Sequence, residues 1–193
     1  VEATVMKMGD GGFRPAYNPQ LASDVDSLVI VGVEVATAGS DQGQMVPMIE
    51  QVRERCGQAP EAWLVDGGFV GHAQVEQASA HTTVYGPVPA AKDKAVDPHQ
   101  PKPDDSPAVA AWRARMGTDE AKAIYKNRAA TAECVNAQSR NRGLQQFCVR
   151  GLAKVKCVVL FFALAHNLMR MASLAPELLA LGKGVSAVSG IGA

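Results

Sequence analysis

The sequence predicts an α/β fold in which a mixed sheet is flanked by helices. Two observations come from strand-like runs: β-branched residues fill 28–37, and a second apolar run at 62–65 ends in an acidic residue. The third is the helical spacing of apolar residues between these runs. With 193 residues, 47% of them hydrophobic and 20% charged, the chain is long enough to bury a core.

The order of the elements follows from local patterns along the chain. Strands are predicted at 4–8, 14–23, 28–37, 62–65 and 82–85. Helices are predicted from a cap at 40–41 to 56, at 72–80, at 108–116, from a cap at Thr118 to 140, and at 155–171. Residues 86–107 contain six prolines, which exclude regular structure and predict an exposed insertion.

The charge is balanced overall but divided along the chain. The formal net charge is zero, yet 24–50 holds five acidic residues and no lysine or arginine. Residues 113–156 hold ten basic residues against three acidic ones, a local charge of +7. Such a basic region favours a surface that binds phosphates. The ten residues are Arg113, Arg115, Lys122, Lys126, Arg128, Arg140, Arg142, Arg150, Lys154 and Lys156.

Cysteine usage and hydropathy indicate the cellular setting. Four cysteines, at 56, 134, 148 and 157, show no CxxC spacing, which favours a reduced, cytoplasmic protein over a disulfide or zinc scaffold. The longest apolar run, 157–165, is shorter than the roughly 20 residues of a membrane span, so no membrane partner is expected.

Two acidic residues stand in settings that suit chemistry. Asp66 closes a strand-like run and is followed by Gly67 and Gly68, whose turn needs no Cβ clearance and lets a ligand approach. Glu133 lies in the basic helical region, where anionic substrates collect. Taken alone, Asp66 fits an ordinary Asp-Gly turn. Together the two residues suggest two thirds of a metal-binding acidic site for phosphodiester chemistry.

These motifs resemble the DDE transposases of bacterial insertion sequences. The Asp-Gly-Gly-Phe block at 66–69 is similar to the Asp-x-Gly-Tyr of that family. The Tyr-x-x-Arg…Glu…Lys/Arg signature is matched by Tyr125, Arg128, Glu133 and Arg140. Residues 13–24 resemble the early hairpin of the family, and the likeness extends over roughly residues 5–171.

The resemblance implies a ribonuclease H-like fold and a set of site residues. Asp66 and Glu133 would be catalytic and would hold two Mg²⁺ or Mn²⁺ ions. The DNA-binding residues would be Arg128, Arg140 and Arg142, and the positioning residues Tyr125, Gly67 and Gly68. Double-stranded DNA at insertion-sequence ends is the expected partner, together with a second copy of the chain in a dimer.

The resemblance also sets the expected domain limits. One catalytic domain is predicted over 1–171, with the proline-rich insertion at 86–107, and a tail over 172–193 that is disordered from 182. The first catalytic Asp of the family lies on the opening strand in an Asp-Gly-Thr-like setting, which this sequence does not contain. We therefore expect a C-terminal fragment, incomplete at its N-terminus.

Two departures from the family pattern leave alternatives open. Four residues separate Arg128 from Glu133, where the common signature has three, which indicates a subgroup. If the first Asp is not upstream of the chain, Asp10 or Asp24 is the candidate third carboxylate, although both stand where turns favour Asp. The expected function is DNA strand cutting and joining. The alternatives are an inactive remnant that binds DNA or a partner only, and a metal-dependent nuclease.

Overall fold

The computed structural model describes residues 3–177 and has a mixed α/β architecture. Among these residues there are six strands, six α-helices and one π-helical turn. The strands are β1 (Thr4–Lys7), β2 (Phe13–Ala16), β3 (Asn18–Ser23), β4 (Ile30–Ala36), β5 (Ala62–Leu64) and β6 (Thr83–Tyr85). The helices are α1 (Met45–Cys56), α2 (His72–Ala78), α3 (Pro107–Met116), α4 (Asp119–Arg128), α5 (Cys134–Asn141) and α6 (Leu152–Leu174), and the π turn is Ala129–Glu133.

The strands form three two-stranded sheets in the described part of the chain, and the single mixed sheet that the sequence predicts is not seen there. β1 pairs with β2 and β3 with β4, both antiparallel, whereas β5 and β6 are parallel. The predicted strand over 14–23 is wrong as one element, because it divides at Tyr17 between the first two sheets.

Side chains from the helices cover the free edge of β4, so no further strand pairs with β4. The N–H of Val33 donates to the side-chain oxygen of Gln51 on α1 (2.7 Å). The amide group of Asn167 on α6 accepts from the N–H of Ile30 and donates to its carbonyl, both at 2.8 Å. These amides satisfy backbone groups that another strand would otherwise pair with.

The core consists of two main clusters. The first joins β5, β6 and α1–α4 around Val75, Val84 and Trp112, none of which is exposed to solvent. Trp112 also donates its indole N–H to the carbonyl of Gly86 (3.2 Å), so it anchors α3 to the end of β6. The second cluster joins β4, α5 and α6.

The proline-rich segment has no helix or strand between β6 and α3, as the sequence predicts. It is nonetheless fastened to the domain. The buried guanidinium of Arg113 on α3 donates to Asp105 (2.7 Å) and to the carbonyl of Pro98 (3.1 Å). The segment is therefore tied to the first core cluster, although most of its residues are exposed.

Helix α6 packs on the β3–β4 hairpin through one face. Val155 and Val159 are fully buried on that face. His166 donates from Nε2 to the carbonyl of Leu28 (2.8 Å), and the ammonium of Lys156 lies 2.8 Å from Glu34. By length and composition alone α6 could cross a membrane. Of the tail predicted over 172–193, residues 172–174 are the end of α6. Residues from 178 onward lie outside the described part of the chain.

Candidate functional site

Asp66 stands directly after β5, at the end of the parallel β5–β6 pair. The N–H of Val65 still bonds to the carbonyl of Tyr85 (2.9 Å), and the chain turns at the next residue. Asp66 Oδ1 accepts from the N–H of Gly68 (2.9 Å), so the side chain closes an Asp-Gly turn. The turn leaves the second oxygen, Oδ2, free to face neighbouring groups, and the side chain is 46% exposed.

Helix α4 brings the predicted signature to Asp66. The guanidinium of Arg128 lies 4.0 Å from Asp66 Oδ2 and 5.9 Å from the centre of the Tyr125 ring. Burial raises the pKa of the Tyr125 phenol, the Arg128 charge opposes that shift, and the Asp66 charge adds to it. The strand-end acid and the Tyr-x-x-Arg motif therefore meet in one place, although they are about sixty residues apart in sequence.

Asp41, whose sequence pattern predicts a helix cap, is also a member of this site. The structure places the cap of α1 at Gln44, and no side chain caps the helix. Asp41 instead turns to β3, where its Oδ1 accepts from the amide groups of Asn18 and Gln20, both at 2.7 Å. Residues two apart in a strand point to the same side, which is why both amides reach one oxygen.

Gly68 is the point at which Asp41 and Asp66 meet. A Cβ added to Gly68 would lie 3.1 Å from Asp41 Oδ2 and 3.2 Å from Asp66 Oδ1. Glycine therefore leaves a small space that two carboxylate oxygens border. The only sequence signal for Asp41 was its place in the acidic region 24–50, because the contacts with Asn18 and Gln20 depend on the tertiary fold.

Glu133 ends the π-helical turn that follows Arg128. In a continuous α-helix the fifth residue after Arg128 would lie about 140° around the axis, whereas the fourth would lie about 40° away. A π turn bonds each N–H to the carbonyl five residues back and holds one more residue than an α turn. Glu133 is the fifth residue after Arg128, but the π turn gives it nearly the angular position that the fourth residue has in an α-helix. The extra residue of this signature therefore does not rotate Glu133 to another face of the helix.

Thr131 supports the widened turn from its buried side. Its hydroxyl lies 3.0 Å from the carbonyl oxygen of Asn127 and 3.2 Å from that of Arg128. A hydroxyl in this place supplies a donor to carbonyls whose usual helical partners the π turn displaces. The turn is thus held by a specific side chain.

The remaining predicted residues lie in different surroundings. Glu133 and Arg140 are exposed, and Arg142 lies 3.3 Å from Nδ1 of His166. No group of three or more His, Cys, Asp or Glu side chains suited to a metal ion occurs within residues 3–177. The structure therefore joins Asp66 with Arg128 and Tyr125, while the convergence of Glu133 on Asp66 stays a prediction.

Asp10 and Asp24, the candidates for a third carboxylate, serve their own turns. Asp10 accepts from the N–H of Gly12 (3.0 Å) and pairs with Arg14. Asp24 accepts from the hydroxyl and the N–H of Ser27. The Arg14 bond and the Ser27 hydroxyl, respectively, hold the pKa of each carboxyl below its ordinary value. Both contacts fit the turn role that Asp commonly has.

The basic region is partly neutralised within the fold. Four of its ten cations form ion pairs: Arg113 with Asp105, Lys122 with Asp119, Arg128 with Asp66, and Lys156 with Glu34. Of the ten, the exposed cations that form no ion pair with any residue of 3–177 are Lys126, Arg140, Arg142, Arg150 and Lys154. These five residues, here called the open basic set, are the ones available to an external phosphate.

Comparison with known proteins gives one family. Residues 92–172 match the family model described as a transposase DDE domain. The match contains Tyr125, Arg128, Glu133 and Arg140, and it begins after Asp66. No curated protein and no solved structure matches the chain. The stretch from residue 92 to residue 172 is therefore similar to the transposase DDE domain.

Proposed function

We propose that this chain is part of a transposase catalytic core that cuts and joins DNA strands by metal-dependent phosphodiester chemistry. The family match indicates transposition in general, with DNA as the substrate. The observation that carries the finer proposal is the contact between Arg128 and Asp66, because it unites the strand-end acid with the helical signature. Asp66 and Glu133 are the proposed catalytic carboxylates.

The donor set beside Gly68 fits the divalent metal ions that DDE transposases generally use. Carboxylate oxygens of Asp41 and Asp66 border the space left by the missing Cβ. Magnesium prefers hard oxygen ligands and is commonly held by one or two carboxylates while it keeps several waters. When bound, such ions supply activation of the attacking oxygen and stabilisation of the leaving oxygen in an in-line displacement.

The protein groups around Asp66 have separate tasks in this proposal. Asp66 would bind the metal. Arg128 limits the motion of the Asp66 side chain and offsets part of the negative charge of its carboxylate. Tyr125 stacks beside the guanidinium and keeps it near the strand end. Glu133, presented by the π turn, supplies the further carboxylate, and Arg140 and Arg142 bind DNA phosphates with the rest of the open basic set.

A second candidate is an inactive remnant that binds DNA or a partner without cutting. One observation favours it: no three metal-binding side chains gather within residues 3–177. Under this alternative the basic surface would still bind DNA, whereas the carboxylates would have no catalytic role. The two candidates therefore make the same prediction for DNA binding and opposite predictions for cleavage.

The test is cleavage of duplex DNA in Mg²⁺ by a protein that contains all 193 residues. This protein should cleave, and Asp66→Asn or Glu133→Gln should each abolish cleavage. Asp119→Asn is the matched control, because Asp119 is exposed and within residues 3–177 pairs with Lys122 alone. Cleavage that survives Asp66→Asn would contradict the proposed chemistry. A native protein that binds DNA but never cuts it would favour the remnant.

A further inference from the structure

We infer that Asp41 is a metal ligand that shares an ion with Asp66 across Gly68. This inference rests on the proposed metal-dependent function. It adds a residue that belongs neither to the proposed carboxylates Asp66 and Glu133 nor to the basic residues of the family signature. The chain would then contribute two carboxylates to one ion from its own N-terminal half, before any contribution from Glu133.

The hydrogen bonds of Asp41 orient it for this role. Its Oδ1 is occupied by two amide donors, Asn18 and Gln20, and Gln20 is buried. Its Oδ2 is the oxygen that borders the space at Gly68. Ligating carboxylates are typically held in this way, with hydrogen bonds that fix the side chain while one oxygen stays available.

The charges around Asp41 also favour a bound cation. Its hydrogen-bond partners are neutral amides, and within residues 3–177 it forms no ion pair with lysine or arginine. The neighbouring carboxylate, Asp66, accepts from the N–H of Gly68 through Oδ1 and has the Arg128 guanidinium 4.0 Å from Oδ2. Two carboxylates that face one space repel each other, and a divalent ion between them would replace that repulsion with attraction.

Asp41 differs in this respect from the other acidic residues near turns. Asp10 and Asp24 place their carboxylates on the N–H groups of their own turns. Asp41 contacts no backbone N–H of α1 through its side chain, and the helix begins without a side-chain cap. Its two amide contacts come from a strand more than twenty residues earlier. A local structural role therefore does not account for its orientation.

The test is Mn²⁺ binding by the full 193-residue chain. Electron paramagnetic resonance of free Mn²⁺ and calorimetry would measure this binding. Asp41→Asn and Asp66→Asn should each weaken binding at least about tenfold, a loss typical of disturbed metal sites. Asp41→Asn keeps a side-chain carbonyl that can accept from Asn18 and Gln20, so the fold should survive. Gly68→Ala should weaken binding too, since its Cβ would stand 3.1 and 3.2 Å from the two oxygens.

The outcomes separate this inference from the proposal on which it rests. Loss of Mn²⁺ binding in both Asp variants and in Gly68→Ala, with Asp119→Asn unchanged, supports the shared site. Loss in Asp66→Asn with wild-type binding in Asp41→Asn overturns the role of Asp41 and leaves the proposed function intact. Wild-type binding in Asp66→Asn overturns both, and no Mn²⁺ binding by the native chain overturns the shared site.

Discussion

Arg128 and Asp66 lie with guanidinium and carboxylate 4.0 Å apart, which makes the end of α4 and the end of β5 a single structural unit. Tyr125 completes the unit by stacking beside the guanidinium. The contact is partly exposed, so its energetic contribution is limited, but it fixes which helix faces the strand end.

Replacing Arg128 with Ala should lower the free energy of unfolding by about 0.5–1 kcal/mol, because an exposed ion pair and a cation–π contact each contribute only modestly. Chemical denaturation monitored by circular dichroism would measure the loss. Lys126→Ala is the control, since Lys126 is exposed on the same helix and forms no ion pair in the described residues. Equal destabilisation by both variants would show that the Asp66 contact contributes nothing.

Deleting Ala130 should be tolerated, because it removes the one residue that the π turn holds beyond an α-helix. The change in melting temperature should be small, and the helix should become continuous. Deleting Ala123 from α4 should cost more than about 4 kcal/mol, because it rotates the buried Ala121 face against the rest of the helix by about 100°. Thermal unfolding of both deletions measures the difference. Similar losses of stability in the two deletions would mean that the π turn does not accommodate an extra residue.

The chain should bind duplex DNA with little sequence preference. The logarithm of the affinity should fall linearly with the logarithm of the salt concentration. Arg140→Ala should lower affinity for all sequences and reduce the salt slope by about one. Lys122→Ala should have a smaller effect, because Lys122 already pairs with Asp119. Fluorescence anisotropy at several salt concentrations provides the measurement. Binding that ignores salt would argue against a phosphate-contacting surface.

The buried pair of Asp105 and Arg113 should make stability depend on acid pH. Burial acts to raise the pKa of the Asp105 carboxyl, but the N–H of Lys102 and the Arg113 guanidinium lower it more, so the folded pKa is below the ordinary value. The stabilisation is therefore complete above the unfolded pKa of about 3.9 and is lost as pH falls through the folded pKa.

Asp105→Asn should consequently lower the melting temperature near pH 7 and have a smaller effect near pH 3, which is below the unfolded pKa, so that part of the stabilisation is already lost there. Calorimetry at both pH values would measure this convergence. Asp104→Asn, at the exposed neighbouring position, is the matched control. A constant difference between Asp105→Asn and the native chain across the range would contradict the assignment.

Local chemistry accounts for the parts of the fold that the sequence predicts well. Thr118 caps α4 through its hydroxyl, and α1 ends at Gly57 in a left-handed conformation. The turn after β5 exposes Asp66 as its glycines indicate. His166 and Asn167, which follow the apolar run of α6, bond to the backbone of Leu28 and Ile30.

The parts that differ depend on contacts between distant segments. Nothing near β4 in the sequence shows that the amides of Gln51 and Asn167 cover its edge, so a larger sheet was the natural expectation. Asp41 has the local pattern of a helix cap, and only the proximity of β3 redirects it. The π turn has the same composition as an ordinary helix, since helix propensity does not distinguish the two.

The bonds from α6 to the β3–β4 hairpin impose an order on folding. Asn167 pairs with Ile30 and Arg170 with the carbonyl of Ser27, across 137 and 143 positions. Contacts of such large sequence separation form late, because a long loop must close before they contribute. During synthesis the β3–β4 hairpin emerges from the ribosome before α6, yet it gains its partner only when α6 follows. A nascent chain stopped before α6 would expose the apolar face of that hairpin to chaperones and proteases.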